Sequence, residues 1–313
     1  MINVKGLTKR FGRFTAIDNI SFDIAEGEIV GLLGPNGAGK TTTMRIVSTF
    51  LPATGGEVTV DGLDVFSNSV EVRRRIGYLP EQVPLYNEMR VQEYLAYRGR
   101  LKGLTGRALR GRIQEMLEAC GLIEVRRAVC GTLSKGYRQR IGLADSLIHQ
   151  PRVLILDEPT IGLDPNQIRQ IRNLIKGLAP RHTVLLSSHI LSEVEMTCRR
   201  VLILNRGRIV ASDTAGNLVG LMKARPRARI QVRGPELPVC EALAAAPGVS
   251  RVTREGAAAG EWITFNCECE KDADPRVHLF KIVSSNRWDL RELTMERRNL
   301  EDVFVEMTAD GEN

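Results

Sequence analysis

The stretch GPNGAGKTT, residues 34 to 42, decides the fold. It fits the pattern G-x-x-x-x-G-K-[ST] through Gly34, Gly39, Lys40 and Thr41. Before it, Glu28 to Leu33 is an apolar run of strand length, and from about Lys40 the pattern turns helical. Between a strand and a helix, the residues Gly34, Pro35, Asn36, Gly37, Ala38, Gly39, Lys40, Thr41 and Thr42 read as a phosphate-binding loop. The glycines let backbone N–H groups turn inward around phosphates. Lys40 places a cation on the β- and γ-phosphates, and the Thr41 hydroxyl ligates Mg²⁺.

The run RVLILDEPT, residues 152 to 160, is a buried strand that ends in two acids. A carboxylate at the C-terminal end of a parallel strand lies beside the phosphate loop, where open α/β sheets bind their ligands. Asp157 is placed to hold Mg²⁺ through water. Glu158, one residue on, is placed to polarise an attacking water toward the γ-phosphate. Standing alone, such a pair reads equally as a solvated acidic turn; the phosphate loop shifts the reading to chemistry.

The chain has 313 residues, which suits two domains, and its 26% charged and 43% hydrophobic residues are a globular balance. A net charge of +7 favours an anionic partner, whether nucleotide, nucleic acid or lipid surface, without choosing among them. The opening MINVKGLTKRFG has no long apolar core, and no apolar run approaches the roughly 20 residues a membrane helix needs. The chain alone is therefore expected to stay in the cytosol. Six Cys lie scattered, and only Cys267 and Cys269 are close, with no His beside them; buried thiols in a reducing compartment are the expectation.

Strand and helix patterns alternate up to about residue 220. Strands are predicted at 57–60, 75–79, 153–156, 183–186 and 201–204, helices near 166–178 and 190–196, and a helical pattern throughout 91–148. This alternation predicts a largely parallel sheet with helices on its faces and a helical insert over about 85–148. The segment KARPRARI, residues 223 to 230, reads as a linker. Beyond it the predicted order is strand, helix, strand, strand, helix, strand, a small α+β domain of split βαβ, ferredoxin-like type. A last helix, LEDVFVEM, sets Leu300, Val303, Phe304 and Met307 on one stripe. The expected domains are 1–222 and 223–313.

Six elements carry a resemblance. The phosphate loop, Gln82 in YLPEQ, LSKGYRQR, LILDEP, GLDP and His189 in LLSSHIL occur in the order and spacing of ATP-binding-cassette (ABC) ATPases. The likeness covers residues 1 to about 220 and implies a P-loop NTPase cassette that hydrolyses ATP with Mg²⁺. In that family two subunits pack head to tail, and Ser134 and Gly136 of one would close over the γ-phosphate held by the other. The helix start at TLSKGYRQR, residues 132 to 140, suits that task.

The resemblance further implies that Phe11 stacks on adenine and that Gln82 senses Mg²⁺ and the attacking water. His189 would hold the γ-phosphate, and Asp164 would cross the dimer seam. The common motif LSGGQ reads LSKGY here, so Lys135 and Tyr137 are departures; Lys135 reads either as a nucleotide contact or as a solvated cation. The implied partners are a second copy or a homologous cassette and a separate multi-span permease, with no nucleic acid. The implied place is cytoplasmic, peripheral on the inner face of the cell membrane. The C-terminal domain resembles that of bacterial ABC-2-type export ATPases of the drug-efflux and gliding-motility kind. The alternative is a non-transport cassette acting on nucleic acid or ribosomes. Its translation-type members resemble two fused cassettes and its DNA-repair members carry long coiled coils. This chain has one phosphate loop and no heptad run.

Overall fold

Three short strands, each buried along its whole length, form the centre of the first unit. In the computed structural model, which describes residues 1–178, 181–214, 216–218, 226–259, 261–270 and 273–296, these are β3 (Ile29–Leu33), β7 (Val153–Leu156) and β8 (Thr183–Ser188). Strands covered on both faces read as continuous apolar runs, which is why the sequence announced them. With β6 (Ile76–Leu79), β9 (Arg200–Asn205) and β10 (Arg208–Asp213) they form a six-stranded sheet in the order β10-β9-β3-β8-β7-β6. It is parallel except for its antiparallel edge strand β10.

A second sheet went unread in the sequence. β1 (Ile2–Phe11), β2 (Phe14–Ile24), β4 (Gly55–Val60) and the two-residue β5 (Leu63–Asp64) form an antiparallel sheet in the order β2-β1-β4-β5. Register shifts between Val4 and Leu7, and again on to Lys9 and Arg10, break the alternation of β1 and disguise it as irregular sequence. Helix α1 (Lys40–Val47) shares one core with both sheets. Met44, Ile46 and Val47 pack with Ile17, Ile20 and Ile24 of β2, with Val58 and Val60 of β4, and with Val30, Leu32, Val153 and Ile155 of the parallel sheet.

α2 (Ser69–Arg75) precedes β6. The insert then holds α3 (Val91–Leu101), α4 (Gly106–Ala119) and α5 (Lys135–Leu147). It is not helical throughout: residues 120–134 are turns with one short 3₁₀ segment at Cys130–Thr132, because Gly121 and Gly131 interrupt the periodicity. A buried carboxylate fastens the lobe. Asp145 on α5 accepts from Arg98 Nε at 2.9 and 3.0 Å and from Lys102 Nζ at 2.9 Å, both on or beside α3. Burial pushes the Asp145 carboxyl up, but Lys102 and Arg98 outweigh it and hold it below its ordinary range. α6 (Pro165–Leu178) and α7 (Leu191–Thr197) complete the first unit.

The chain divides into two compact units that part between Leu218 and Val219. In the second, β11 (Arg227–Arg233), α8 (Glu236–Ala244), β12 (Val249–Ala259), β13 (Trp262–Cys269), α9 (Arg276–Ser285) and β14 (Asp289–Glu296) make an antiparallel sheet in the order β12-β13-β11-β14. This is the split βαβ arrangement. Val239 and Leu243 of α8 and Leu279 and Val283 of α9 cover Ile230, Phe265, Cys267 and Cys269. Burial pushes the Cys267 thiol up to about 12. The predicted helix around Leu300, Val303, Phe304 and Met307 lies outside the described residues. Among the described residues no helix is long and apolar enough to cross a membrane.

Candidate active site

The loop from Gly34 to Gly39 joins the carboxyl end of β3 to the first turn of α1. Gly39 has φ 107, and a Cβ there would sit 2.7 Å from the Ala16 carbonyl oxygen. A Cβ at Gly34 would sit 2.3 Å from the Leu204 carbonyl oxygen. Neither position accepts a side chain, so only glycine lets the loop pass this close to the neighbouring backbone. Lys40 is 7% exposed, and its amine donates to the carbonyls of Gly34 at 2.7 Å and Pro35 at 3.2 Å, with Glu158 Oε1 at 3.8 Å. Burial pulls its pKa down, opposed by Glu158 and Asp157.

Asp157 and Glu158 follow β7 directly and are 1% and 6% exposed. Asp157 Oδ1 accepts from Thr41 Oγ1 at 3.2 Å and from Ser187 Oγ at 2.7 Å. Ser187 Oγ in turn accepts the Glu158 N–H at 2.9 Å. Asp157 Oδ2 is buried with no hydrogen-bond partner among the described residues. Burial above all raises the Asp157 pKa, against the lowering by Ser187 and Thr41. An orphaned carboxylate oxygen beside a threonine hydroxyl fits a hard divalent cation with oxygen ligands, which supplies the missing charge. Glu158 has φ 48, unusual for a residue with a side chain. Its Oε2 lies 2.8 Å from His189 Nδ1 on the segment after β8.

Lys40, Thr41, Glu158 and His189 line one cavity of about 460 Å³, bounded also by Phe11, Phe14, Ala16, the rest of residues 35–42, Glu81 and Ile161, with Asp157 behind Thr41. Phe11 is 48% exposed, with the Lys9 amine 5.0 Å from its ring centre. Phe14 pairs with Phe11 across the β1–β2 hairpin and puts a second ring at the same edge. Gln82 is exposed on the loop after β6, and its neighbour Glu81 is the residue that reaches the cavity wall.

Ser134, Gly136 and Asp164 do not line this cavity. Ser134 caps α5 and accepts the Tyr137 N–H at 3.4 Å. Gly136 is buried, and a Cβ there would sit 2.5 Å from Gln167 Oε1. Asp164 Oδ1 accepts the N–H groups of Asn166 at 3.0 Å and Gln167 at 2.9 Å and so caps α6. Gly136, Tyr137 and Asp164 line a different cavity of about 550 Å³. Lys135 is exposed, its amine lying against Gly162. Phe14, Glu81 and Ser187 were missed in the sequence. A hairpin pairing and a parallel register place them, and neither leaves a short motif.

A phosphate loop at the end of a central parallel strand, with a threonine–aspartate pair joining it to the end of β7 and an acid one residue further on, defines a P-loop nucleoside triphosphatase. The family described as ABC transporter matches residues 17–161, and one described as AAA domain matches residues 130–195. The chain is 31% identical to the linearmycin resistance ATP-binding protein LnrL of Bacillus subtilis (strain 168), over 99% of this chain and 98% of that one. It is 32% identical to the bacitracin transport ATP-binding protein BcrA of Bacillus licheniformis, with the same coverage. The dimeric structure of MJ0796, a bacterial ABC transporter cassette, superposes with a TM-score of 0.64 at 27% identity, over 68% of this chain and 98% of that one. The chain belongs to the ABC transporter family. It is an ATP-binding subunit whose hydrolysis of ATP powers transport.

Proposed function

We propose that two such chains, or this chain and a homologous cassette, clasp ATP head to tail and drive export through a separate multi-span permease at the inner face of the membrane. The observation that carries this reading is the separation of the two cradles. The phosphate loop, Glu158 and His189 line one cavity, whereas Gly136 and Asp164 line another. A helix start capped by Ser134 that does not line its own chain's nucleotide cavity suits the nucleotide of a second chain. A C₂ arrangement completes both sites at once.

Within each site the contacts support the following roles. Phe11 and Phe14 offer ring faces to the base. The loop N–H groups and Lys40 hold the phosphates. Thr41 and Asp157 would hold Mg²⁺, which neutralises charge on the phosphate oxygens when bound; Gln82 lies on the same loop as Glu81, which lines the cavity. Glu158 accepts a proton from the attacking water, and His189 Nδ1, 2.8 Å from Glu158 Oε2, orients that carboxylate. The likeness to proteins named for linearmycin resistance and bacitracin transport supports export of drug-like molecules as the work performed.

Glu158→Gln tests this. It keeps the shape and removes the base, so hydrolysis should slow at least about a hundredfold while ATP binding persists. The variant should also elute as a dimer on a sizing column when ATP is present and as a monomer without it. Turnover within about twofold of wild type would refute the assignment.

A further inference from the structure

Glu193 lies on α7, four residues after His189, and is 8% exposed. Its Oε2 accepts from Thr160 Oγ1, and Ser188 Oγ approaches the same oxygen at 3.4 Å. Among the described residues its buried Oε1 has no hydrogen-bond partner and the carboxylate forms no ion pair with a basic side chain. The Ile190 N–H, which a carboxylate at this helix position often takes, goes instead to Ser188 Oγ at 3.0 Å. A carboxylate held this way is a costly choice: a buried anion without a cation loses solvation that two hydroxyls only partly replace.

What Glu193 joins explains its presence. Thr160 lies two residues past Glu158, in the turn whose first residue holds the left-handed φ of 48. Such a conformation persists only where neighbours fix it from several sides. The Glu158 N–H is fixed by Ser187, and the Ile161 N–H reaches the Glu158 carbonyl at 3.2 Å. The Thr160–Glu193 bond is the link from this turn to α7. Ser188, the other group at Glu193, immediately precedes His189.

We infer that Glu193 is a positioning residue for hydrolysis: through Thr160 it fixes the turn that aims Glu158, and through Ser188 the segment that carries His189. The inference rests on the reading of Glu158 as the base. The experiment measures ATP hydrolysis of the full chain as Thr160→Val, Thr160→Ser, Glu193→Leu, the Thr160→Val/Glu193→Leu pair and Glu158→Gln, together with ATP affinity and melting temperature. Thr160→Val and Glu193→Leu should each lower kcat at least about tenfold with KM for ATP within about twofold, the scale of a slightly misaimed catalytic group. The pair should fall no further than Glu193→Leu alone, since the link that Thr160→Val cuts is already lost with Glu193. Thr160→Ser keeps the hydroxyl and should restore the rate. A Thr160→Val kcat within about twofold of wild type, or losses that multiply in the pair, overturns the proposal. Should Glu193→Leu fail to fold, Thr160→Val against Thr160→Ser decides. A fully active Glu158→Gln would instead remove the base assignment itself, so the two failures are told apart.

Discussion

Asp145→Asn should loosen the helical lobe by an amount the contacts set. The carboxylate is 11% exposed and receives Arg98, whose side chain is 33% exposed, and Lys102, at 21%. Tyr94 OH stands 3.4 Å away. Breaking a buried pair by removing one partner costs 3–5 kcal/mol because the charge left behind has no counter-ion; two half-screened cations place this case near the lower end, at about 3 kcal/mol. Urea denaturation followed by far-ultraviolet circular dichroism measures it, with a midpoint lowered by about 1 M for a slope of 2–3 kcal/mol/M. Both tryptophans, Trp262 and Trp288, lie in the second unit, so their fluorescence records that unit separately. The acid works only when ionised. Its pKa in the folded chain is below the unfolded value of about 4, so its contribution is complete above that pH and fades as pH falls through the folded value. The penalty of Asp145→Asn should therefore be full at pH 7 and shrink in strong acid. A loss under about 1 kcal/mol at pH 7, the scale of a surface pair, would refute the reasoning. So would an equal loss at pH 3.

His149 supplies a second pH effect in the same direction. Burial, with Lys102 adding to it, pushes its pKa down to about 4, while Nε2–H donates to the Ile76 carbonyl at 3.0 Å. Between pH 6.5 and 4 the unfolded chain binds the extra proton, so stability rises with pH there and about 3 kcal/mol is lost from pH 7 to pH 4. His149→Gln should flatten that slope in denaturant titrations at the two pH values. At the metal position, Asp157→Asn should raise the Mg²⁺ concentration for half-maximal hydrolysis at least about tenfold, and a chelator should abolish hydrolysis in the wild type.

The parts legible in the sequence are those where one residue run carries the whole signal. Ile29–Leu33 and Val153–Leu156 are apolar because both faces are covered, and the glycines and acids that follow them sit at fixed offsets. The six elements of the second unit were readable for a similar reason: its strands β11 and β13 alternate buried and exposed without a break. The antiparallel sheet of β1 and β2 was hidden by register shifts. Ser187 and Glu193 were hidden for another reason. Their meaning arises only when β8 pairs with β7 and brings Ser187 against Asp157, and Glu193 against Thr160, across about thirty residues of chain. Glu158 shows the limit on one residue. Its identity marked it as the base, but its left-handed backbone and its bond to His189 are properties of the fold.

Sharing of each nucleotide between two chains is tested most directly by mixing two crippled variants. Lys40→Ala lacks the phosphate cation of the first cradle, and Ser134→Arg blocks the second. In a hybrid dimer one composite site carries both defects and the other carries neither. Each variant alone should be inactive, and an equal mixture should recover about a quarter of wild-type ATP hydrolysis, since half the dimers are hybrids with one intact site of two. A mixture as inactive as its components, or a Ser134→Arg chain that hydrolyses ATP at the wild-type rate, would contradict the account.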